Sequence, residues 1–484
     1  MNRISRNLLK RGSPGDRVAI LSSNRFEAYE IYLAAMNAGM AATPLNPRLH
    51  ADEHAFMIAD SEAHFVVFSE DYREHLGRVR NSLSTVAHWV CIGEPDQLAL
   101  PYEDLLSGDI DAAPDIQIAP DSLAWLFYTS GTTGKPKGAM ETQRNLVSMV
   151  QQFLIDIVPD AAPTDVMLHA APIAHGTASM GLPHIAVGAA QCFPLTRTFE
   201  PAKIFELIER LRVTSTFLAP TMIQTLLRSP DRARHDLSSL KNIVYGGGPM
   251  HVQILEEALE TFGPIFVQIY GQGEAPMACS TLSKGQHVTN GNPMRVKRLA
   301  SAGRETTGVI VRIADDEGHH LMAGETGEIV VRSDLVMKGY WKRPEATAEA
   351  LNSGWLRTGD VGHIDEDGYL YITDRKKDLI ISGGSNIYPR EVEEVIIRHP
   401  SVSEVCVFGV PDETWGEAVK AAIVLKSGCE FRADEIIEFC RDRLASYKKP
   451  KSIEVLNELP KNANGKVLRR EIRDRYWIGR DRRI

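Results

Sequence analysis

The sequence predicts an α/β protein, with a large N-terminal domain of doubly wound, mostly parallel sheets plus a small β subdomain, followed by a small α+β domain. Three observations predict this architecture. Apolar runs alternate with amphipathic helical patterns over 16–69 and again over 201–271, which is typical of parallel sheets covered by helices. From 308 to 333 the pattern changes to strands separated by turns. A charged run at 374–378 then precedes a remainder of domain size, so we predict domains at 1–375 and 376–484.

The elements of the N-terminal half follow from these patterns. The first alternation predicts a helix at the start, a strand over 16–21, a helix over 26–37, and strands over 41–45 and 64–69. Asn24 is a candidate cap for the helix that follows it. The second alternation predicts helices from 201, over 222–228 and over 251–262, and strands over 215–219, 242–245 and 266–270.

Two of these strands end at glycine-rich turns, at Gly246–Gly248 and at Gly271. Ligands of open α/β sheets bind at the carboxyl ends of strands, so we expect both turns to wall a ligand site. Beyond the β subdomain, the predicted elements are strands at 379–381, 402–410, 418–425 and 452–456 and helices at 389–398, at 433–446 and after Lys466.

Bulk properties exclude several classes of protein. A net charge of -9 over 484 residues argues against a nucleic-acid binder. The six cysteines form no Cys-x-x-Cys pair, which predicts reduced thiols in a cytoplasmic protein without a disulfide framework or a zinc site. The least charged window, 169–196, contains three histidines and three prolines, so we expect no transmembrane segment there. The Arg-rich stretch 469–483 is interpreted as a solvated helix face rather than an RNA contact.

The stretch from Tyr128 to Gly138 has the composition of a phosphate-binding loop. It follows the apolar run 123–127 and combines glycines with hydroxyl side chains and two lysines. Glycine allows positive φ and close backbone approach to an anion, whereas hydroxyls and ammonium groups supply donors and charge. The spacing is not that of a Walker A loop, because only two residues separate Gly131 from Gly134.

A second candidate, Tyr270-Gly-Gln-Gly-Glu274, follows a predicted buried strand. Tyr270 is expected to lie flat on a purine ring. Glu274 is expected to hold Mg²⁺ against phosphate oxygens, since hard cations take carboxylate ligands.

The phosphate loop closely resembles that of the adenylate-forming family, which contains acyl-CoA synthetases, luciferase and peptide-synthetase adenylation domains. Further motifs match in the family's order over most of the chain, including Trp355-Leu-Arg-Thr-Gly-Asp360, Asp374-Arg-Lys-Lys-Asp378 and Pro460-Lys-Asn-Ala-Asn-Gly-Lys466. One departure is Gly273, where the family usually has Thr and therefore a hydroxyl donor to the α-phosphate. The resemblance assigns ATP and AMP contacts to Thr129, Ser130, Gly131, Thr132, Thr133, Gly134, Lys137, Gly246, Gly247, Gly248, Tyr270, Gly271, Gln272, Asp360 and Arg375.

The resemblance also implies roles outside the nucleotide site. Lys466 would bridge the carboxylate and the α-phosphate, and His175 would stand beside the acyl pocket. Lys377 would be the pivot of a mobile C-terminal domain, and Gly383 and Gly384 would line the path of the CoA arm. Small residues near the acyl pocket, among them Gly176, Gly181, Ala275 and Ala278, suggest room for a large acid.

The expected activity is that of an ATP-dependent carboxylic acid:CoA ligase, with ATP, Mg²⁺, CoA and a fatty or aryl acid as reactants. Two alternatives stay open: an adenylating enzyme with a carrier protein or oxygen as acceptor, and a non-catalytic nucleotide-binding relative. Members of the family usually carry an additional segment before the first helix, so the chain is expected to be short at its start. A homo-oligomer is compatible with the sequence.

Overall fold

The computed structural model describes residues 1–108, 112–129, 135–194, 196, 198–383, 385–461 and 466–478, with the side chain of Lys377 left out. The first of its sheets consists of β1 (Arg17–Leu21), β2 (Ala41–Pro44), β3 (Ala63–Ser69), β4 (His88–Ile92), β5 (Leu100–Pro101), β6 (Leu123–Thr129) and β7 (Lys137–Thr142). The spatial order is β5-β4-β3-β1-β2-β6-β7, and every neighbouring pair except β6–β7 is parallel. The helices of this region are α1 (Asn2–Leu9), α2 (Phe26–Asn37), α3 (Ala51–Asp60) and α4 (Arg73–Gly77).

The second sheet also has a mostly parallel centre. Its strands are β8 (Val166–Leu168), β9 (Ala190–Cys192), β10 (Ser215–Leu218), β11 (Asn242–Tyr245), β12 (Phe266–Gln272), β13 (Ala275–Leu282) and β14 (Arg304–Glu305). The order is β14-β13-β12-β11-β10-β8-β9, with β13 and β14 added antiparallel at one edge. Around it lie α5 (Gln143–Gln152), α6 (Gly176–Ala186), α7 (Pro201–Leu211), α8 (Pro220–Arg228), α9 (Val252–Phe262), α10 (Lys284–His287) and α11 (Pro293–Arg298). Both sheets read as near-continuous apolar strands because helices cover their faces.

The remaining sheets are smaller. The β subdomain is an antiparallel sheet of β15 (Ile310–Ala314), β16 (Gly327–Arg332), β17 (Leu351–Asn352), β18 (Trp355–Ile364) and β19 (Leu370–Arg375), with α12 at Pro344–Ala350. The C-terminal sheet contains β20 (Ile380–Ser382), β21 (Ser385–Ile387), β22 (Val402–Asp412), β23 (Gly416–Leu425) and β24 (Ser452–Val455). It is mostly antiparallel and packs with α13 (Pro389–Ile396), α14 (Ala433–Arg441) and α15 (Arg469–Asp474). The predicted α/β fold class is confirmed, whereas the domain boundary at 375/376 stays a prediction.

Two local predictions are wrong. Asn24 does not cap α2, whose N-cap is Arg25 without a side-chain hydrogen bond. The Asn24 amide instead donates to the carbonyls of His169, at 2.7 Å, and Ala171, at 2.8 Å, and so ties the first sheet to the second. The strand predicted to end at Tyr270 continues to Gln272 and turns directly into β13.

The interpretation of the Arg-rich end as a solvated face is also wrong for Arg469. Its guanidinium contacts Asp374 at 2.9 Å, Asp378 at 3.3 Å and Glu393 at 2.9 Å, and its side chain is 18% exposed. Arg473 adds a contact of 3.6 Å to Asp378. Residues 479–483 of that stretch lie outside the described part. The carboxylates explain why Arg469 is largely buried, because several acidic side chains brought together in the interior require a cation.

Residues 338–341, between β16 and α12, cover the free edge of the first sheet. Met140 N donates to Gly339 O and Lys338 N donates to Met140 O, both at 2.9 Å, and Trp341 N donates to Gly138 O at 2.8 Å. Strand β7 is therefore paired on both sides, by β6 and by residues 338–341.

Five of the cysteines are buried and Cys429 is exposed, and all six are free thiols in this structure. None of the helices in the described part of the chain has the length and apolar character that a membrane span requires. Nor do three or more His, Cys, Asp or Glu side chains there form a group that could hold a metal ion.

Candidate nucleotide and acyl site

The phosphate loop joins two paired strands of the first sheet. Strand β6 ends at Thr129 and β7 begins at Lys137, where these two residues are cross-strand partners. The Lys137 ammonium lies 4.7 Å from the centre of the Tyr340 ring. The predicted contacts Ser130, Gly131, Thr132, Thr133 and Gly134 lie outside the described residues, so their roles stay predictions.

Glu274 occupies the turn between β12 and β13, directly beside the start of the phosphate loop. Its Oε1 accepts hydrogen bonds from Thr129 Oγ1 at 2.9 Å and from the Tyr340 hydroxyl at 2.8 Å. The residue is 9% exposed, so these donors fix a nearly buried carboxylate at the loop's entrance. A single anchored carboxylate suits a Mg²⁺ ion that arrives with substrate phosphates better than an all-protein metal cage.

The structure gives a steric reason for Gly273. A Cβ at this position would lie 2.5 Å from Thr129 Cγ2 and 2.6 Å from Phe127 Cδ1. The space that a threonine would need is therefore filled by the side chain of Thr129, whose hydroxyl already stands next to Glu274.

Tyr270, Asp360 and Arg375 come together as the motifs predicted. Asp360 on β18 lies opposite Arg375 on β19 in the antiparallel register. The Tyr270 hydroxyl donates to Asp360 Oδ2 at 2.8 Å, and Arg375 Nε lies 3.1 Å from Asp360 Oδ1. Burial and the neighbouring Asp360 carboxylate raise the pKa of Tyr270 far above its ordinary value, so the hydroxyl keeps its proton. Asp360 is an acceptor-only group whose present donors are side chains of the site itself.

These groups line one cavity with about 860 Å³ of empty space, its open mouth included. The predicted wall residues Gly247, Gly248 and Gly271 line it too. Two of the glycines of this region are required by close approach: a Cβ at Gly246 would lie 2.6 Å from Ile269 O, and one at Gly271 would lie 2.4 Å from Met277 N. Gln272 lines the adjoining cavity described below.

Lys466 reaches the same cavity from the C-terminal sheet region, together with Arg469. Lys466 retains exposed surface. Nevertheless, loss of hydration among the surrounding protein atoms and the nearby charge of Arg375 lower the pKa of the Lys466 ammonium to about 8. The chain thus places its last predicted site residue beside Asp360 and Arg375, more than ninety positions earlier in the sequence.

A second, mostly apolar cavity adjoins the first and contains His175, as predicted. The two cavities share Gly247 and Gly271 in their walls, and the second holds about 620 Å³ of empty space. His175 precedes α6 and meets the Phe127 ring edge-on at 5.5 Å between ring centres. Burial, helped by the charge of Lys466, lowers the pKa of His175 to about 4, so its imidazole is neutral at physiological pH.

The expectation that small residues enlarge this cavity is wrong for two glycines. A Cβ at Gly176 would lie 1.6 Å from Met277 Cε, and a Cβ at Gly181 would lie 2.2 Å from the Tyr29 hydroxyl. Neighbouring side chains thus occupy the volume beside these two glycines, so the glycines do not enlarge the cavity. Residues 217–221 are not part of this wall either, and residues 219–221 border a different cleft.

The glycine turn expected to guide CoA lies away from the nucleotide cavity. Gly383 has φ +57° between β20 and β21, its N–H donates to Trp415 O at 2.8 Å, and a Cβ would lie 2.6 Å from the Trp415 ring. Gly383 is absent from the described lining of that cavity. Gly384 lies outside the described residues, and Lys377 is described only as part of a short 3₁₀ turn over Lys376–Asp378.

Sequence reasoning missed three side chains of the site: Tyr340, Trp125 and Glu141. Tyr340 lies 66 residues from Glu274, so no local pattern could connect them. Glu141 left a signal, because it is an acidic residue directly after the uncharged run Gly138–Met140 in the strand that follows the phosphate loop.

The sequence model of the AMP-binding enzyme family matches residues 1–341, and that of the AMP-binding enzyme C-terminal domain matches residues 391–466. The chain belongs to the adenylate-forming, AMP-binding enzyme family.

Relatives of this adenylate-forming enzyme extend over nearly its whole length. A feruloyl-CoA synthase from Amycolatopsis sp is 39% identical over 96% of this chain and 89% of the relative. The medium/long-chain-fatty-acid–CoA ligase FadD8 of Mycobacterium tuberculosis is 36% identical over 97% of this chain and 83% of the relative. Among solved structures, the amide bond synthetase McbA from Marinactinospora thermotolerans superposes with a TM-score of 0.89 at 31% identity, covering 98% of this chain and 93% of that one. The expected enzyme class, an AMP-forming acid–thiol ligase, is confirmed at that level.

Proposed function

We propose that this enzyme joins a carboxylic acid to CoA in two steps, through an acyl-adenylate that forms with release of pyrophosphate. The observation that carries the proposal is the junction of the two cavities: Lys466 and the Asp360–Arg375 pair line the polar one, and an apolar cavity opens beside it. An acid whose chain fills the apolar cavity presents its carboxylate where a nucleotide's α-phosphate would lie.

The first step requires two anions to approach each other. A carboxylate oxygen attacks the α-phosphorus, the bond to the bridging oxygen breaks, and pyrophosphate leaves. Lys466 offsets the repulsion from the outset, because a positioned ammonium stabilises charge that builds on the phosphate in the transition state. The loop from Thr129 to Lys137 would hold the triphosphate, and Asp360 would accept from the ribose hydroxyls.

Glu274 is the residue that would hold Mg²⁺, with the remaining ligands coming from the triphosphate. When bound, the ion would neutralise phosphate charge. Independently of the ion, Thr129 and Tyr340 keep the Glu274 carboxylate aimed at the phosphate loop. Neutral His175 would bound the acyl pocket without adding a second cation near the carboxylate.

The second step needs a different arrangement. In this structure Lys466 lines the nucleotide cavity and Gly383 does not, which fits the adenylation step. We propose that the C-terminal domain then turns about Lys377, withdraws Lys466, and brings Gly383 and Gly384 to the path of the CoA thiol. The thiolate attacks the acyl carbon, and AMP leaves.

Exchange of radiolabelled pyrophosphate into ATP tests the first step with a panel of fatty and aryl acids. Lys466→Ala should reduce the exchange by at least about a hundredfold, since loss of one electrostatic contact to the transition state costs about 10²–10³ in rate. Thioester formation from premade acyl-adenylate should be largely retained. The matched control is Lys203→Ala, at an exposed position of α7, which should exchange at the normal rate. No exchange with any acid would refute the proposal.

A second function is favoured by one observation, the close likeness to an amide bond synthetase structure. It shares the adenylation step and differs in the acceptor. A competition assay with CoA and a simple amine separates the two functions, because the proposed ligase should form thioester and leave the amine unacylated.

A further inference from the structure

Two polar side chains on the wall of the apolar cavity are deeply buried and lack protein partners. Trp125 is 4% exposed and Glu141 is 2% exposed, and both line the cavity. Within the described ranges, neither the Trp125 Nε1 nor either carboxyl oxygen of Glu141 has a hydrogen-bond partner. Buried polar groups are nearly always paired, so two unpaired groups at one place require an explanation.

The two residues are cross-strand neighbours in the first sheet. Trp125 on β6 and Glu141 on β7 are directly opposite each other in the antiparallel register, so they project from the same face of the sheet. Thr129 and Lys137, at the phosphate loop, form the pair four residues along the same strands. At about 3.3 Å per residue, the Trp125–Glu141 pair lies about 13 Å from the phosphate end of these strands.

The Trp125–Glu141 pair lies where an acyl group would bind rather than where a nucleotide would bind. Gly247 and Gly271 line both cavities, whereas Trp125 and Glu141 line only the apolar one. An acid with its carboxylate near Lys466 would therefore extend its distal end toward the two unpaired groups. The surface of this cavity is mostly apolar, with Leu146 and Pro276 among its lining residues.

The charge state of Glu141 narrows the chemistry of what binds. Burial, followed by the neighbouring charge of Glu274, raises the pKa of the Glu141 carboxyl well above its ordinary value. Glu274 already accepts two hydrogen bonds, from Thr129 and Tyr340. Glu141 is therefore the carboxyl that carries the proton, and it can both donate and accept, whereas the Trp125 indole only donates.

We propose that Trp125 and Glu141 recognise a hydroxyl group at the far end of the acid, so that the preferred substrates are hydroxylated aryl or alkyl acids rather than plain hydrocarbon acids. The three polar atoms are closed to solvent in the empty cavity, so the two side chains would rotate slightly to meet the ligand. A hydroxyl oxygen would then accept from Trp125 Nε1–H while its proton goes to a Glu141 oxygen, which pairs the buried groups at once. An ammonium group matches less well, because it cannot accept from the indole. The inference rests on the proposed function and adds the substrate class.

The test compares matched acids that differ only in this hydroxyl. The pairs are para-hydroxyphenylpropanoic against phenylpropanoic acid and ω-hydroxyoctanoic against octanoic acid, assayed by pyrophosphate exchange. A site built to bond a substrate hydroxyl strongly rejects the analogue that lacks it, so we expect at least one pair to show a preference of about a hundredfold in kcat/KM. Glu141→Leu should reduce this ratio to about one, and Glu141→Gln, which can still donate and accept, should keep most of it. Met140→Leu, one position earlier on β7, is the control and should leave the ratio unchanged.

A second readout separates failure of this inference from failure of the proposed function. Non-hydrolysable sulfamoyl analogues of the four acyl-adenylates are titrated calorimetrically into each purified variant, which needs no turnover. The inference is supported if wild type binds the deoxy analogues more weakly than the hydroxylated ones and if Glu141→Leu removes this difference in affinity. Equal binding within each pair, or a preference for the corresponding ω-amino acid, overturns it. Absence of exchange with every acid refutes the proposed function, while the ratio of the analogue affinities still decides the role of Glu141.

Discussion

Replacing Arg469 with methionine tests whether one cation holds the C-terminal sheet region to the end of the β subdomain. The guanidinium contacts Asp374 and Asp378 on one side and Glu393 of α13 on the other, at 2.9, 3.3 and 2.9 Å. The side chains of Asp374 and Glu393 are 4% and 6% exposed, so water cannot replace the lost cation fully. Breaking a buried ion pair from one side costs about 3–5 kcal/mol, and because Arg469 is itself 18% exposed we expect about 3 kcal/mol.

The same substitution should make stability depend on pH. Burial raises the pKa of Asp374 even though Arg469 opposes this effect, so removing Arg469 raises it further. When the folded-state pKa of a carboxyl lies above its unfolded value, its contribution to folding stability is fully present below the unfolded pKa, about 4. That contribution is lost as the pH rises through the folded-state pKa. The deficit of the variant relative to wild type should therefore be larger at pH 8 than at pH 5.

Hydrogen exchange of α13 and β22, measured by mass spectrometry at both pH values, reports this local free energy without assuming that the whole chain unfolds in one step. The matched control is Arg470→Met, which removes the neighbouring arginine. Arg470 is 63% exposed and pairs with Asp474 on the surface, so its loss should cost at most about 0.5 kcal/mol. Equal deficits for the two variants, or a deficit for Arg469→Met that does not change with pH, would refute the reasoning.

The remaining predictions concern the nucleotide and acyl cavities. The pKa of about 8 for Lys466 means that the ammonium is lost above that value, so pyrophosphate exchange should fall as the pH rises through about 8, and Lys466→Arg should remove this fall. In Gly271→Ala the new Cβ meets Met277 N at 2.4 Å, and because backbone yields little we expect a stability loss of about 2–3 kcal/mol in urea unfolding and much slower exchange. In Gly273→Ala the Cβ meets the Thr129 methyl at 2.5 Å and Phe127 Cδ1 at 2.6 Å, both on side chains that can shift, so we expect a loss of about 1 kcal/mol that Thr129→Ser relieves only in part.

Gly285→Ala is the control for both glycine substitutions, since no atom beyond the adjoining residues and the backbone of its own helix lies within 4 Å of a Cβ built there. The free energy of unfolding of this variant should match that of wild type within about 0.5 kcal/mol, and its rate of pyrophosphate exchange should be normal. Glycine variants that resemble this control would contradict the steric argument. A flat pH profile for wild type between 7 and 9 would contradict the assignment of the titrating ammonium to Lys466.

Much of the fold was readable because its signals are local. Helix α2 and strand β11 have the predicted bounds, since an amphipathic or apolar run between turn residues defines each. The grouping of Tyr270, Asp360 and Arg375 was also readable, but through a family pattern rather than through spacing in the chain. Their hydrogen bonds could not be derived from sequence, because register between β18 and β19 is set by long-range packing.

What sequence reasoning could not reach depends on contacts between distant segments. Arg469 looked like one of many surface arginines, and only the meeting of Asp374 and Glu393 gives it a buried role. Gly176 and Gly181 suggested open space, yet Met277 and Tyr29 fill it. Small residues indicate that something approaches closely, and the identity of the approaching group is a three-dimensional fact.

The backbone bonds between 338–341 and β7 affect how the chain can be divided. A strand at the margin of a sheet offers unpaired amides and carbonyls that another molecule can join. A fragment cut before Lys338 would lose this cover, and with it Tyr340, whose hydroxyl steadies Glu274. The smallest fragment that binds nucleotide on its own must therefore include residues 338–341, although they are remote in sequence from the phosphate loop.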